Sequence, residues 1–294
     1  MRERSRTALV LGGETGLLGQ SLAFVLEKEG WTVLTPPRGD VDIFDTDAVA
    51  EFLDREQVGH LFNAVAYTRV DDAEDNKEEA FRVNQLLPAT LGRAVRKTGT
   101  RLVHYSTDFV FSGRKDLPYT PEDEPHPVSV YGSSKAAGEK SLLELDLPGL
   151  IIIRTAWLFG PGRMNFVDRI LELGRERDTL RVVHDQVGSP TYSRDVALHS
   201  LHLVQADGRG IFHIANSGKA SWCELASEAV SCMGLACRVE AVTSDQYPTK
   251  ATRPAYSVLD TAKYSELTGR TPRSWIKALR TYLFQKDARE IPEE

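Results

Sequence analysis

Tyr131 and Lys135 stand four residues apart, which on a helix puts both side chains on one face. A phenol beside an ammonium is a proton donor whose pKa the cation lowers towards working pH. Upstream, Ser106-Thr107-Asp108 ends a short β-branched run, and a hydroxyl at Thr107 could hold a carbonyl oxygen beside that phenol. A tyrosine and a lysine at this spacing are by themselves as easily a core ring and a surface cation. A third feature gives them weight: Gly13-x-x-Gly16-x-x-Gly19 follows the first apolar run. Glycines are needed where a backbone turns tightly and must approach a pyrophosphate. A helix beginning there offers free N–H groups to the phosphates. A dinucleotide on the loop, a carbonyl at Thr107 and a phenol to protonate it amount to carbonyl reduction.

The second apolar run ends Thr35-Pro36-Pro37-Arg38, with no acid in place. An acid there suits a ribose 2′-hydroxyl, whereas a cation suits a 2′-phosphate. Arg38 therefore favours NADPH, with NADH as the alternative, although Asp40 and Asp42 follow closely.

The elements that must carry these residues alternate. Strands are expected at 7–11, 31–35, 60–65, 101–106 and 150–155, and helices at 17–29, 45–57, 76–98 and 129–145, with Pro88 dividing the third helix. Such alternation implies parallel strands with right-handed crossovers. Beyond Phe159-Gly160-Pro161-Gly162 the rhythm loosens. Helices are expected at 164–177, 193–205, 221–233 and within 270–285, and strands at 180–183, 211–215 and 238–242. A soft boundary near 155 separates a dinucleotide-binding part, 1–155, from a mainly substrate-binding part, 156–294. The two are expected to interleave, with 180–183 and 211–215 returning to the main sheet.

Hydrophobic residues make up 41% and charged residues 27% of the 294-residue chain, which is globular composition and not that of a disordered one. A net charge of −6 argues against a nucleic-acid binder. No apolar run approaches a membrane span, and the basic start is followed only by Ala8 to Leu11, too short for a signal peptide, so a cytoplasmic protein is expected. Cys223, Cys232 and Cys237 lack zinc-site spacing and read as reduced thiols. The carboxylate clusters Asp71-Asp72, Glu74-Asp75 and Glu78-Glu79 have no interposed histidine and read as a solvated face, so no metal site is assigned. His104 reads as a packed strand histidine, and His184 as a residue without a partner.

At these residues the chain resembles the extended short-chain dehydrogenase/reductases and, within them, the dTDP-4-dehydrorhamnose reductase family. The resemblance runs through 63–68, Val70-Asp71, Ala73-Glu74, Val83-Asn84, 106–113, Tyr131-Gly132-x-Ser134-Lys135-x-x-Gly138-Glu139, 154–160, Asn165-Phe166-Val167, Asp185-Gln186-x-Gly188-x-Pro190-Thr191, Arg253-Pro254 and Leu259-Asp260. It implies a Rossmann-like doubly wound α/β sheet with a smaller C-terminal substrate-binding domain. It also implies catalytic roles for Thr107, Tyr131 and Lys135. Gly13, Gly16, Gly19, Ala64, Ala66 and Tyr67 would line the cofactor, and Leu17, Leu18, Arg38, Asp42 and Ile43 complete the candidate cofactor set. Trp157 and Asn165 would lie near the nucleotide-sugar, with Asp108 and Phe109 as further substrate candidates.

The implied reaction is NADPH-dependent reduction of a dTDP-linked 4-keto-6-deoxysugar, dTDP-rhamnose being the product, and the assembly is compatible with a homodimer. Two other readings share the fold: an epimerase or dehydratase with tightly held NAD, and a non-catalytic NADP-binding regulatory subunit related to that of methionine adenosyltransferase. The sequence departs from the family pattern with Phe at 109 and 159, where tyrosine is frequent, and with Arg253-Pro254-Ala255-Tyr256-Ser257, where an asparagine usually precedes the serine.

Overall fold

In the computed structural model the described residues are 6–290, with side chains to residue 285; residues 1–5, most of the basic start, lie outside them. Strand β1 (Thr7–Leu11) runs into α1 (Leu17–Lys28), and β2 (Thr32–Leu34) follows. Helix α2 (Thr46–Arg55) leads to β3 (His60–Asn63), and short helices α3 (Val70–Ala73) and α4 (Lys77–Phe81) precede α5 (Leu87–Thr98) and β4 (Arg101–Thr107). Next come α6 (Val130–Leu143) and β5 (Ile151–Thr155). The later half holds β6 (Leu158–Phe159), α7 (Phe166–Glu176), β7 (Thr179–Val183), β8 (Val187–Gly188), β9 (Thr191–Tyr192), α8 (Ser193–Gln205) and β10 (Gly210–His213). It closes with β11 (Ala220–Ser221), α9 (Trp222–Cys232), β12 (Arg238–Val242), α10 (Ala262–Thr268) and α11 (Trp275–Glu290).

The main sheet is parallel, in the order β10-β5-β4-β3-β1-β2. Its inner strands are buried on both faces, so they read as continuous apolar runs such as Ile151-Ile152-Ile153. One face packs Leu18, Leu22 and Leu26 of α1 and Val196, Leu201 and Leu203 of α8 on Val10, Val103 and Ile153. The other packs Val49 and Leu53 of α2, Leu87 and Leu91 of α5 and Leu142 of α6 on Leu9, Leu61 and Ile152. The order in which strands are added reverses between β1 and β3, and ligands bind at such a switch, beyond the carboxyl ends of the strands.

Of the two later strands expected to return, 211–215 does so, as β10 beside β5. The run at 180–183 does not: β7 pairs in parallel with β12, apart from the main sheet. Its alternating burial suits a half-covered pair, and α9 packs Ala226 and Val230 against its Leu180 and Val182. The expected helix at 76–98 is divided, though ahead of Pro88: residues Arg82–Leu86 form a π-helical turn between α4 and α5. Pro88 has no N–H to give the carbonyl of Asn84, and Gly138 of α6 comes so close that a Cβ there would sit 2.0 Å from that oxygen.

Candidate active site

Loop geometry explains the glycines. Gly12 turns at φ +84°, where an L-residue is strained, and lies against the backbone of Ala64. Its carbonyl accepts from Gly16 N at 3.0 Å. A Cβ at Gly19 would stand 2.0 Å from that carbonyl oxygen, so only glycine lets α1 begin this close to β1. Gly16 caps α1 without a side chain, and no acid stands in the first turn. The first N–H groups, at Leu17 and Leu18 among others, thus face outward at a positive helix end that fits a pyrophosphate. Gly12, overlooked by the spaced motif, makes the turn; its signal was the doublet Gly12-Gly13.

Around this loop stand the other candidate cofactor residues. Ala64 and Ala66 follow β3, partly exposed. Tyr67 is buried and anchored through its backbone: its N–H donates to Asn84 Oδ1 at 2.9 Å and its carbonyl accepts from Asn84 Nδ2 at 3.0 Å. The same Nδ2 donates to Ser134 Oγ of α6 at 2.9 Å, so the π turn ties the loop after β3 to the catalytic helix. Arg38 is exposed in the turn after β2. Asp42 is committed to its own turn, accepting from Phe44 N at 3.0 Å, and Ile43 packs partly on the core beneath α2.

Thr107 ends β4, and α6 brings Tyr131 beside it, close enough for the Thr107 hydroxyl to act on the phenol. Ser129 caps α6 by accepting from Gly132 N at 3.1 Å, which sets Tyr131 in the first turn. Burial, with the nearby Asp108 charge, pushes the phenol up to about 12, against the Thr107 hydroxyl. The expected lowering of the phenol by Lys135 is therefore not what dominates; the ring is a protonated acid at neutral pH. Lys135 is 2% exposed and donates to the carbonyl of Tyr105 at 2.6 Å. Burial lowers its ammonium to about 8, partly offset by Glu139, four residues further along the helix. Glu139 in turn holds Arg154 of β5 in a buried pair at 2.7 Å, a contact that neither residue announced in the sequence. His104 is fully buried, with Nδ1 3.1 Å from Asn63 Nδ2, and burial depresses its basicity.

Among the substrate candidates, Phe109 turns its ring edge-on to Tyr131, centroids 5.8 Å apart. Asp108 is buried, and its carboxylate oxygens accept from Thr107 Oγ1 at 3.0 Å and from Ser257 Oγ at 2.5 Å. Asn165 is the cap of α7. Its Oδ1 accepts from Val167 N and Asp168 N, and its Nδ2 donates to Gly160 O, Asp168 Oδ2 and the Tyr282 hydroxyl. Trp157, expected to offer a face to the sugar, lies flat on Trp222 of α9 at 3.6 Å, with Gly188 against its ring edge. It holds φ +46°, a conformation that costs a bulky residue about 1–3 kcal/mol and is fixed here by the stack and by Thr191 N donating to its carbonyl.

Of the carboxylates read as a solvated face, Asp72, Asp75, Glu78 and Glu79 are exposed, while Asp71 and Glu74 are half-buried and make tertiary contacts. Asp71 takes both guanidinium ends of Arg253 at 2.7 and 3.1 Å, Asp75 pairs with Lys250, and Glu74 accepts from Val130 N. Asp71 thereby anchors the start of a strap, residues 253–259, whose Ser257 reaches Asp108. The strap is pinned by Val187 N to Ala255 O and by Ser257 N to Val187 O, both 2.8 Å. Beside it opens a cleft of about 560 Å³ whose lining includes His184, Val187, Lys219 and Tyr256.

A nucleotide loop at the switch point, with a helix-borne phenol facing a strand-end hydroxyl over a buried lysine, defines an oxidoreductase of the short-chain dehydrogenase/reductase class. Within that class the chain belongs to the RmlD substrate binding domain family, whose model matches residues 7–287. It is 36% identical to the spore coat polysaccharide biosynthesis protein SpsK of Bacillus subtilis, over 96% of this chain and 99% of that protein. It is 39% identical to dTDP-4-dehydrorhamnose reductase of Aggregatibacter actinomycetemcomitans, over 92% of this chain and 97% of that one. The crystal structure of dTDP-4-dehydrorhamnose reductase from Bacillus anthracis in complex with NADP superposes with a TM-score of 0.91 at 30% identity, covering 96% of this chain and 99% of that one.

Proposed function

We propose that this protein reduces the C4 ketone of dTDP-4-dehydro-6-deoxy-L-mannose to dTDP-L-rhamnose with NADPH, in the cytoplasm. The observation that carries the reading is Tyr131 of α6 set beside Thr107 at the end of β4, in a sheet whose first strand ends in the glycine loop. The glycine loop and the first turn of α1 bind the pyrophosphate, and Arg38 takes the 2′-phosphate. NADPH, when bound, supplies the hydride. Tyr131 donates its proton to the C4 oxygen as negative charge develops there, and Thr107 hydrogen-bonds the same oxygen. Lys135 keeps a cation behind the phenol that steadies the phenolate left by the transfer. The cleft beside the strap has the volume of a ligand site, and Lys219 gives it a cation for the diphosphate.

The test follows NADPH absorbance with freshly generated dTDP-4-keto-sugar. Wild-type turnover is expected, with a loss of roughly two or more orders of magnitude in Tyr131→Phe and NADPH affinity nearly unchanged. Absence of wild-type turnover would sink the reading in favour of a regulatory subunit, and NAD retained through purification would point to an epimerase or dehydratase.

A further inference from the structure

Thr107 has one hydroxyl proton and two lone pairs. One lone pair takes Phe109 N–H at 3.2 Å. That leaves one proton and one lone pair for Asp108 Oδ1 at 3.0 Å, for the Tyr131 hydroxyl and for a reacting oxygen. The direction of the chain therefore depends on Asp108. An ionised carboxylate only accepts, so Thr107 must donate to it, and Thr107 can then only accept from Tyr131. The Thr107 proton then runs inward, away from a substrate, and its free lone pair competes with the substrate for the phenol proton. A neutral Asp108 donates to Thr107 instead, and the protons of Thr107 and Tyr131 are free to run outward together.

A second contact fixes the carboxyl itself. Ser257 Oγ donates to Asp108 Oδ2 at 2.5 Å, and both residues are 2% exposed. Ser257 sits on the strap, and its neighbour Tyr256 lines the adjacent cleft. The groups facing the carboxyl are Thr107 and Phe109 N–H at the end of β4, Tyr131 of α6 and Ser257 of the strap; among the described residues no cation pairs with it.

We propose that Asp108 is a positioning residue that sets the direction of this hydrogen-bond chain: neutral, it turns the Thr107 and Tyr131 protons towards the reacting oxygen, and ionised, it draws the Thr107 proton inward and leaves Thr107 competing for that of Tyr131, with Ser257 of the strap holding its far oxygen in register. Burial already brings the carboxyl up to about 6, against the two hydroxyl donors. An anionic diphosphate substrate closing the cleft moves it further the same way, so binding itself favours the outward arrangement.

The catalytic part rests on the reduction proposed above; the titration part does not. In aspartate-labelled protein, carboxyl ¹³C NMR is expected to show one resonance titrating near pH 6, missing in Asp108→Asn and moved up by about one unit in Ser257→Ala, which removes a donor from the charged form. In turnover, kcat for reduction is expected to fall on an alkaline limb. Asp108→Asn, whose amide mimics the neutral acid, keeps the plateau rate within about threefold and lacks that limb, with sugar KM little changed. Ser257→Ala shifts the limb upward by about the NMR shift, and it carries the test should Asp108→Asn misfold. An Asp108 resonance titrating near 4, a limb kept unchanged in Asp108→Asn, or a rate lost equally at every pH would overturn the proposal. A wild type without turnover would sink the reductase reading and leave the titration to decide this one.

Discussion

Tyr131, Lys135 and Arg38 each meet a different electrostatic setting. The half-buried phenol, pushed up to about 12, keeps its proton at neutral pH, which is the form a reduction needs. The lysine is a cation held in a dry place, and that has a measurable cost. Its folded value, about 8, lies below the unfolded 10.5, so between these the unfolded chain binds more protons and stability rises with pH. Relative to Lys135→Met, the wild type should gain on the order of 2 kcal/mol between pH 8 and 10.5, measured by chemical denaturation at both ends. Arg38 is exposed and works only against a ligand. Arg38→Ala should weaken NADPH binding by about 1.5–3 kcal/mol and leave NADH nearly untouched, as read by fluorescence titration; equal loss for both would make it structural. All three were candidates from type and spacing alone. The contact of Asp108 with Ser257 was not legible, because the two lie 149 residues apart and no local pattern joins them.

Among the elements, the long ones were legible, since their periods of 2 and 3.6 are written along the chain. The two-residue strands β6, β8, β9 and β11 have no period to read and exist through tertiary pairing. The same blindness hid the contacts of Asn165 with Tyr282 and of Trp157 with Trp222. Asn165→Ala removes the cap of α7 and should cost about 0.5–2 kcal/mol in stability, with sugar affinity within about twofold of wild type. A large loss of affinity at unchanged melting temperature would return Asn165 to the substrate site.

Across the whole molecule, Trp157 joins the sheet to the later helices. Trp157→Ala deletes one half of the stack with Trp222, so the melting temperature should fall, with a stability loss approaching the 3–5 kcal/mol typical of such deletions. Sugar affinity lost with the melting temperature intact would restore the ligand role. The clasp of Asp71 and Arg253 spans 182 residues, so the site is finished only by the last fifth of the chain. Synthesis sharpens that point. Strand β5 pairs on its outer side with β10, some 55 residues downstream, and α1 is covered by α8 from the same later stretch. A nascent chain that has delivered β5 to the ribosome exit therefore carries Ile151-Ile152-Ile153 on an unpaired edge and a bare face of α1 until β10 emerges. The order of translation leaves an interval in which the apolar centre of the molecule is open to chaperones and to other copies of itself, and a gene fragment ending near residue 155 would make that interval permanent.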